Sequence, residues 1–322
     1  MPRQYTSAST LAGLLSKQTR LLSRFKWVLS IFCLALIAHR LYGAAWGSLW
    51  SVLRADTVAW LLPVLCLTVA NLALEAVKWQ VCLQPLAVFS FRTHVVAVVK
   101  GIAMGIPLTH LVGDLAAKLS LVKQRQAEAI PLLMVASLSQ YIATATGALF
   151  AIYAFSTQDG LAWAAPFKLW LSGYWAILLV GFAALPQIYN LARQVSILAT
   201  SKLPTKVKWP HTWSVLGISL IRYTVILSQY MCLYHIFAAG SASQLPVFIA
   251  GICIALAVKA LVPLAAIGGM VGLRELVLLT ILSPLGFNPV QIVVVSLSIW
   301  LLNVALPGIV GAIFLSRKSA AA

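Results

Sequence analysis

Acidic residues are scarce in this sequence: six Asp and Glu stand against 23 Lys and Arg in 322 residues. Charged residues of both signs make up only 9% of the chain, where a soluble domain carries about 25%. A water-facing surface cannot be assembled from so few charges. The same shortage leaves little material for metal-dependent phosphoryl or glycosyl transfer. No acidic pair falls at metal-ligand spacing, and HExxH, GxSxG, Walker and GxGxxG motifs are absent. The five cysteines, Cys33, Cys66, Cys82, Cys232 and Cys253, form no CxxC and no Cys/His zinc spacing, so they read as small packing residues. No catalytic residue, cofactor or metal site is assigned on these grounds.

What fills the chain instead is apolar. Hydrophobic residues make up 61% of it and the mean hydropathy is +0.96. The expected fold class is an all-α polytopic integral membrane protein. Full spans are expected at about residues 27–45, 57–77, 129–155, 167–189, 212–238 and 290–315. The net charge of +17 lies mostly between apolar runs. It fits positive loops and anionic lipid headgroups, and it leaves no basic domain for nucleic acid. Residues 1–26 lack a typical signal-peptide cleavage site. Within them Leu11, Leu14, Leu15, Leu21, Leu22 and Phe25 share a face opposite Lys17, Arg20 and Arg24. That segment reads either as a basic amphipathic helix on the cytoplasmic leaflet or as a simple charged flank. Residues 27–316 form one transmembrane domain, followed by a short tail at 317–322.

Two stretches break the pattern of full spans. Residues 94–123 contain Lys100, Gly101, Gly105, Pro107, Gly113, Asp114 and Lys118. Residues 246–286 contain Lys259, Pro263, Gly268, Gly269, Gly272, Arg274, Glu275 and Pro284. A straight lipid-facing helix would not carry either set. All basic loops, among them Lys78 and Arg92 after the second span, fall on one side if six segments cross fully and each broken stretch returns to the side it entered. Both termini are then cytoplasmic, in a bacterial-type inner membrane. The broken stretches become re-entrant hairpins of opposite polarity, and a plain hydropathy count gives about eight spans. One full crossing inside each hairpin keeps the same parity. Val99-Lys100 precedes Gly113 at the spacing by which Val258-Lys259 precedes Gly272. This echo points to an inverted-topology repeat, with a substrate site at its interface.

Two constellations carry the chemistry. In the first, Asp114 and Lys118 are four apart and can pair on one helix face, and Gly113-Asp114 reads as a turn capping a helix. A capped interfacial helix with a satisfied ion pair explains it as well as a cavity for a headgroup does. In the second, Pro263, Gly268, Gly269 and Gly272 break a helix that restarts near Leu273. The new N-terminus, with Arg274, would favour an anion, and Glu275 would pair with Arg274 or with a positive substrate group. Close helix packing is the rival account of the glycines. Arg222 lies within a span and is expected to face the bundle interior. Glu75 and Lys78 read as a simple i,i+3 pair. Ser137, Ser139, Gln140, Thr144 and Thr146 suit interhelical hydrogen bonds or substrate contact.

Lys78-Trp79, the Gly113-Asp114 hairpin, and above all Pro263 with Gly268-Gly269-Met270-Val271-Gly272-Leu273-Arg274-Glu275 and Leu285-Gly286 resemble the flippase-like membrane family. That family is typified by the transmembrane region of lysylphosphatidylglycerol synthases. The resemblance covers about residues 27–315. It implies a translocator of lipids with modified headgroups. The larger members continue into an aminoacyl-transferase domain, so aminoacyl-lipid synthesis is not expected of this sequence. Where many members carry Glu-Arg…Asp, this chain reads Ser137-Leu138-Ser139-Gln140-Tyr141, with no ionisable group. The expected substrate-binding residues are Lys100, Gly113, Asp114, Lys118, Gln140, Arg222, Lys259, Gly268, Gly269, Gly272, Arg274 and Glu275. Transport without an ATP site would be passive or gradient-coupled. The expected partners are membrane lipids with anionic headgroups, and either a second copy of the chain or a lipid-modifying enzyme. An integral-membrane transferase on a lipid carrier, or a non-catalytic partner of such an enzyme, is the rival function.

Overall fold

The computed structural model describes residues 31–42, 59–106, 110–122, 126–156, parts of 172–184, 209–237, 242–261 and 272–319. Among them there are helices and turns and no strand. This follows from the environment the composition demands, since a helix satisfies its own backbone where no water can. The helices are α1 (Ile31–Leu41), α2 (Leu61–Leu83), α3 (Phe91–Gly105), α4 (His110–Leu119) and α5 (Gln126–Ser156), then α6 (Trp209–Phe237), α7 (Leu245–Leu261), α8 (Leu273–Leu282), α9 (Pro289–Trp300) and α10 (Leu306–Ser319). The chain is an all-α polytopic membrane protein.

Four apolar segments are long enough to cross a bilayer: Leu61–Leu83, Val135–Tyr153, Thr212–Phe237 and Pro289–Ser316. They coincide with four of the expected spans. Within the span expected at 27–45, residues 31–41 form the apolar helix α1; of the span expected at 167–189 only parts of 172–184 are described, and the amphipathic segment at 1–26 lies outside the described residues. The outward faces are apolar: Leu62, Val69, Phe150, Ile221 and Ile309 are all more than half exposed. In water such faces would aggregate, but in lipid they are the solvated surface.

The two broken stretches each fold as a helical hairpin. α3 and α4 pack along one another, as do α7 and α8. At 1.5 Å per residue α3 is about 22 Å long and α4 about 15 Å, both short of a bilayer core of about 30 Å. The element order repeats: long helix, hairpin, long helix (α2, α3–α4, α5), then again (α6, α7–α8, α9–α10). The packing repeats with it. α2 lies against α6 at the centre, α3 seats on α10, and α7 seats on α5. Exchanging the two units maps the α2–α6 pairing onto itself and the α3–α10 pairing onto α7–α5. Two large apolar clusters follow the same division, one built around Trp79, Val98 and Leu133 and the other around Phe248, Leu278 and Val293.

Two sequence readings change here. Gly113-Asp114 does not cap a helix, because α4 already begins at His110. Gly113 is instead interior, where a Cβ would stand 2.3 Å from the Gly105 nitrogen, so its lack of a side chain lets the hairpin arms touch. Lys78 is not a loop cation. α2 runs on to Leu83, and Lys78 is buried at 3% exposure.

Candidate functional site

The polar side chains of α2 recur along one face: Thr68, Asn71, Glu75 and Lys78-Trp79, spaced three to four apart. That face turns inward onto a cavity of about 340 Å³ between the two units. Glu75 is its centre of charge. Its carboxylate lies 2.7 Å from Lys78, 2.9 Å from Arg222 of α6 and 3.3 Å from Lys118 of α4. The Trp79 indole N–H donates to Glu75 Oε1 at 2.7 Å. Lys118, 1% exposed, also pairs with Asp114, and its ammonium sits 3.2 Å from the centre of the Trp79 ring. Trp79 thus fixes the acid with its edge and a base with its face. Three cations share two carboxylates here, so this end of the cavity carries a net positive charge.

A chain of hydrogen bonds extends from Arg222. Its guanidinium donates to Asn71 at 2.8 Å and to Gln140 of α5 at 2.9 Å. Asn71 donates to Asn303 at 2.7 Å, Asn303 to Gln229 at 2.9 Å, and Gln229 to Thr68 at 2.8 Å. Thr68 ends the chain on the Val64 carbonyl. Asn303 sits on a π-helical turn, Leu301–Ala305, that joins α9 to α10. Pro307 follows that turn and has no N–H to return to the Asn303 carbonyl. The helix widens just before it, with Leu306 N–H bonding back to Leu301.

The second hairpin supplies the other end. α8 starts at Leu273 behind Gly272, whose φ of +119° suits glycine and whose Cβ would meet Cys33 at 2.7 Å. Glu275 reaches back to the Gly272 N–H at 2.8 Å. Arg274 donates to Glu275 at 2.5 Å and to the Ser296 carbonyl of α9 at 2.6 Å. The Ser296 hydroxyl closes the ring on Glu275 at 2.8 Å.

The two constellations therefore meet. Asp114, Gln140, Arg222, Lys259 and Arg274 all line the one cavity. Lys118 and Glu275 stand behind it, each 1% exposed, and hold the lining side chains in place. Lys100 is half-buried on α3 and does not line it; Gly113 serves the hairpin contact. The free helix start expected at Gly272 is taken by the chain's own Glu275, which removes that N–H from any ligand. Gly268 and Gly269 lie outside the described residues. The polar face of α5 divides its work. Ser139 bonds Ser219 of α6 at 2.8 Å and Thr146 accepts from Trp175 at 2.9 Å, while Ser137, Gln140 and Thr144 line the cavity.

Sequence reasoning underweighted Glu75 and passed over Asn71, Gln229, Tyr230, Trp300 and Asn303. The signal for Glu75 was its position inside an apolar run, where an ionisable group is expensive. Asn71, one turn before it, shows on the same helical face. Comparison with protein-family models and with curated proteins gives no match to this chain.

Proposed function

We propose that the protein moves a phosphate-bearing lipid between the leaflets of a bacterial-type inner membrane, with both termini cytoplasmic. The observation that carries this reading is the convergence of charges from both hairpins and both central helices on one cavity, inside a bundle whose outer faces are apolar. A headgroup can pass through such a polar interior while its acyl chains stay in hydrocarbon, which spares the charge a passage through lipid. The cavity's excess of cations favours an anionic headgroup. The repeated element order supports alternating exposure, because two similar units around one site can exchange roles. Resemblance of the Arg274-Glu275 motif to the flippase-like family points the same way.

The test is leaflet exchange in liposomes holding the purified protein and fluorescent phosphatidylglycerol. The wild type is expected to accelerate exchange, and Arg222→Ala to abolish most of the gain, since Arg222 ties α6 to α2 and α5 at the cavity. Exchange no faster than in empty liposomes, with and without an ion gradient, overturns the reading in favour of a lipid-carrier transferase or a partner protein.

A further inference from the structure

Most cations around the cavity are already matched. Lys78, Lys118 and Arg222 share Glu75 and Asp114, and Arg274 is closed on Glu275 and Ser296. Lys259 is the exception. It lines the cavity from the last turn of α7 and, among the described residues, has neither an ion pair nor a hydrogen-bond partner. An uncompensated ammonium among apolar helices is costly unless a counter-ion reaches it.

Other polar groups on the same cavity share that condition, the Tyr223 hydroxyl among them. The Tyr230 hydroxyl, on a side chain 0% exposed, makes no hydrogen bond of good geometry, although Arg274 and Ser296 are beside it. The Trp300 indole N–H is buried and also without a partner. Buried polar atoms are seldom left so, and several on one cavity suit a ligand that bonds to them together. The ammonium and the indole can only donate, and the phenol can donate as well. A ligand that satisfies all of them must be rich in acceptors and carry negative charge. A phosphodiester has that character: two unesterified oxygens share one charge, which a single lysine neutralises.

We infer that Lys259, Trp300 and Tyr230 form the subsite that takes the phosphodiester of the transported lipid. This deepens the translocation reading and rests on it. The subsite is unpaired in the repeat, because Lys100, which holds the equivalent place ahead of Gly113, does not line the cavity. A lipid without phosphate, such as a glycosylceramide, leaves the ammonium bare and gains nothing from it.

The test compares wild type, Lys259→Ala, Lys259→Arg and Trp300→Phe in liposomes with fluorescent phosphatidylglycerol or fluorescent glucosylceramide. Lys259→Ala is expected to slow phosphatidylglycerol exchange by roughly tenfold or more, the scale of one charge-assisted hydrogen bond. Lys259→Arg restores most of the rate, Trp300→Phe gives an intermediate loss, and glucosylceramide exchange is the same in all four. A wild-type rate in Lys259→Ala overturns the subsite and leaves the translocation reading standing. If the wild type moves no lipid, the translocation reading fails, and ligand-induced thermal stabilisation in detergent decides the subsite. Stabilisation by short-chain phosphatidylglycerol that disappears in Lys259→Ala supports it. Stabilisation by inorganic phosphate alone, or by neither, overturns the assignment to a lipid. Should Lys259→Ala fail to fold, Lys259→Gln and Trp300→Phe are read in the same assays.

Discussion

Glu75 bears the greatest electrostatic load of any side chain in the protein's described interior. It meets Lys78, Lys118 and Arg222 at once and accepts from Trp79. Removing one partner of a buried ion pair leaves an uncompensated charge, which costs about 3–5 kcal/mol. Glu75→Gln is therefore expected to lower the thermal midpoint in detergent well beyond Asp114→Asn, because Asp114 holds Lys118 alone. A second change, Lys78→Gln on the Glu75→Gln background, should recover part of the loss by removing one orphaned cation. Equal midpoints for Glu75→Gln and wild type would show that the cations find other anions. The sequence made Arg274-Glu275 legible because an adjacent acid and base deep in an apolar run have few structural uses. It hid Glu75 behind Lys78, since an i,i+3 pair at a span end needs nothing further. Only the folding of α4 and α6 against α2 brings the other two cations to it, and no local pattern encodes that meeting.

At the scale of elements, the π-helical turn is the part most open to test. It projects Asn303 between Asn71 and Gln229, joining α9–α10 to both central helices. Pro307→Ala supplies the N–H that an α-helix would give to the Asn303 carbonyl, and so favours a regular helix through residues 301–305. Rotation of Asn303 out of the hydrogen-bond chain should follow, with slower lipid exchange and little change in thermal midpoint. Unchanged exchange would mean that the turn has no part in transport. The seat of α3 on α10 is tighter. A Cβ on Gly311 would stand 1.9 Å from the Val99 carbonyl oxygen, so Gly311→Leu is expected to separate the two helices and cut the yield of folded protein. Near-normal yield and midpoint would contradict that contact. The four long spans were readable from hydropathy alone, and the start of α8 from its glycines. The entry into α4 was misread because Gly113 resembles a turn residue, yet its use is to let a neighbouring helix approach.

For the whole molecule, the central fact is that the two units are interleaved. Each hairpin rests on the long helix of the opposite unit, α3 on α10 and α7 on α5. Shifting one hairpin against the long helix that seats it therefore moves the boundary of the cavity. Cysteines at Ile102 and Gly308, which meet across the α3–α10 seat, are expected to be crosslinkable and, once linked, to stop exchange. Linked protein that still exchanges lipid would show that this seat does not move during transport.

The same interleaving governs how the molecule can be made. Synthesis delivers α3 before α5 to α9, but its seat, residues 306–319, emerges after every other described helix. Throughout translation of α5 to α9 the flank of the first hairpin formed by Val99, Ile102, Ala103 and Ile106 has no native neighbour. A chain halted ahead of residue 289 thus holds the first hairpin without its seat. Completion of α10 is the event that covers that flank.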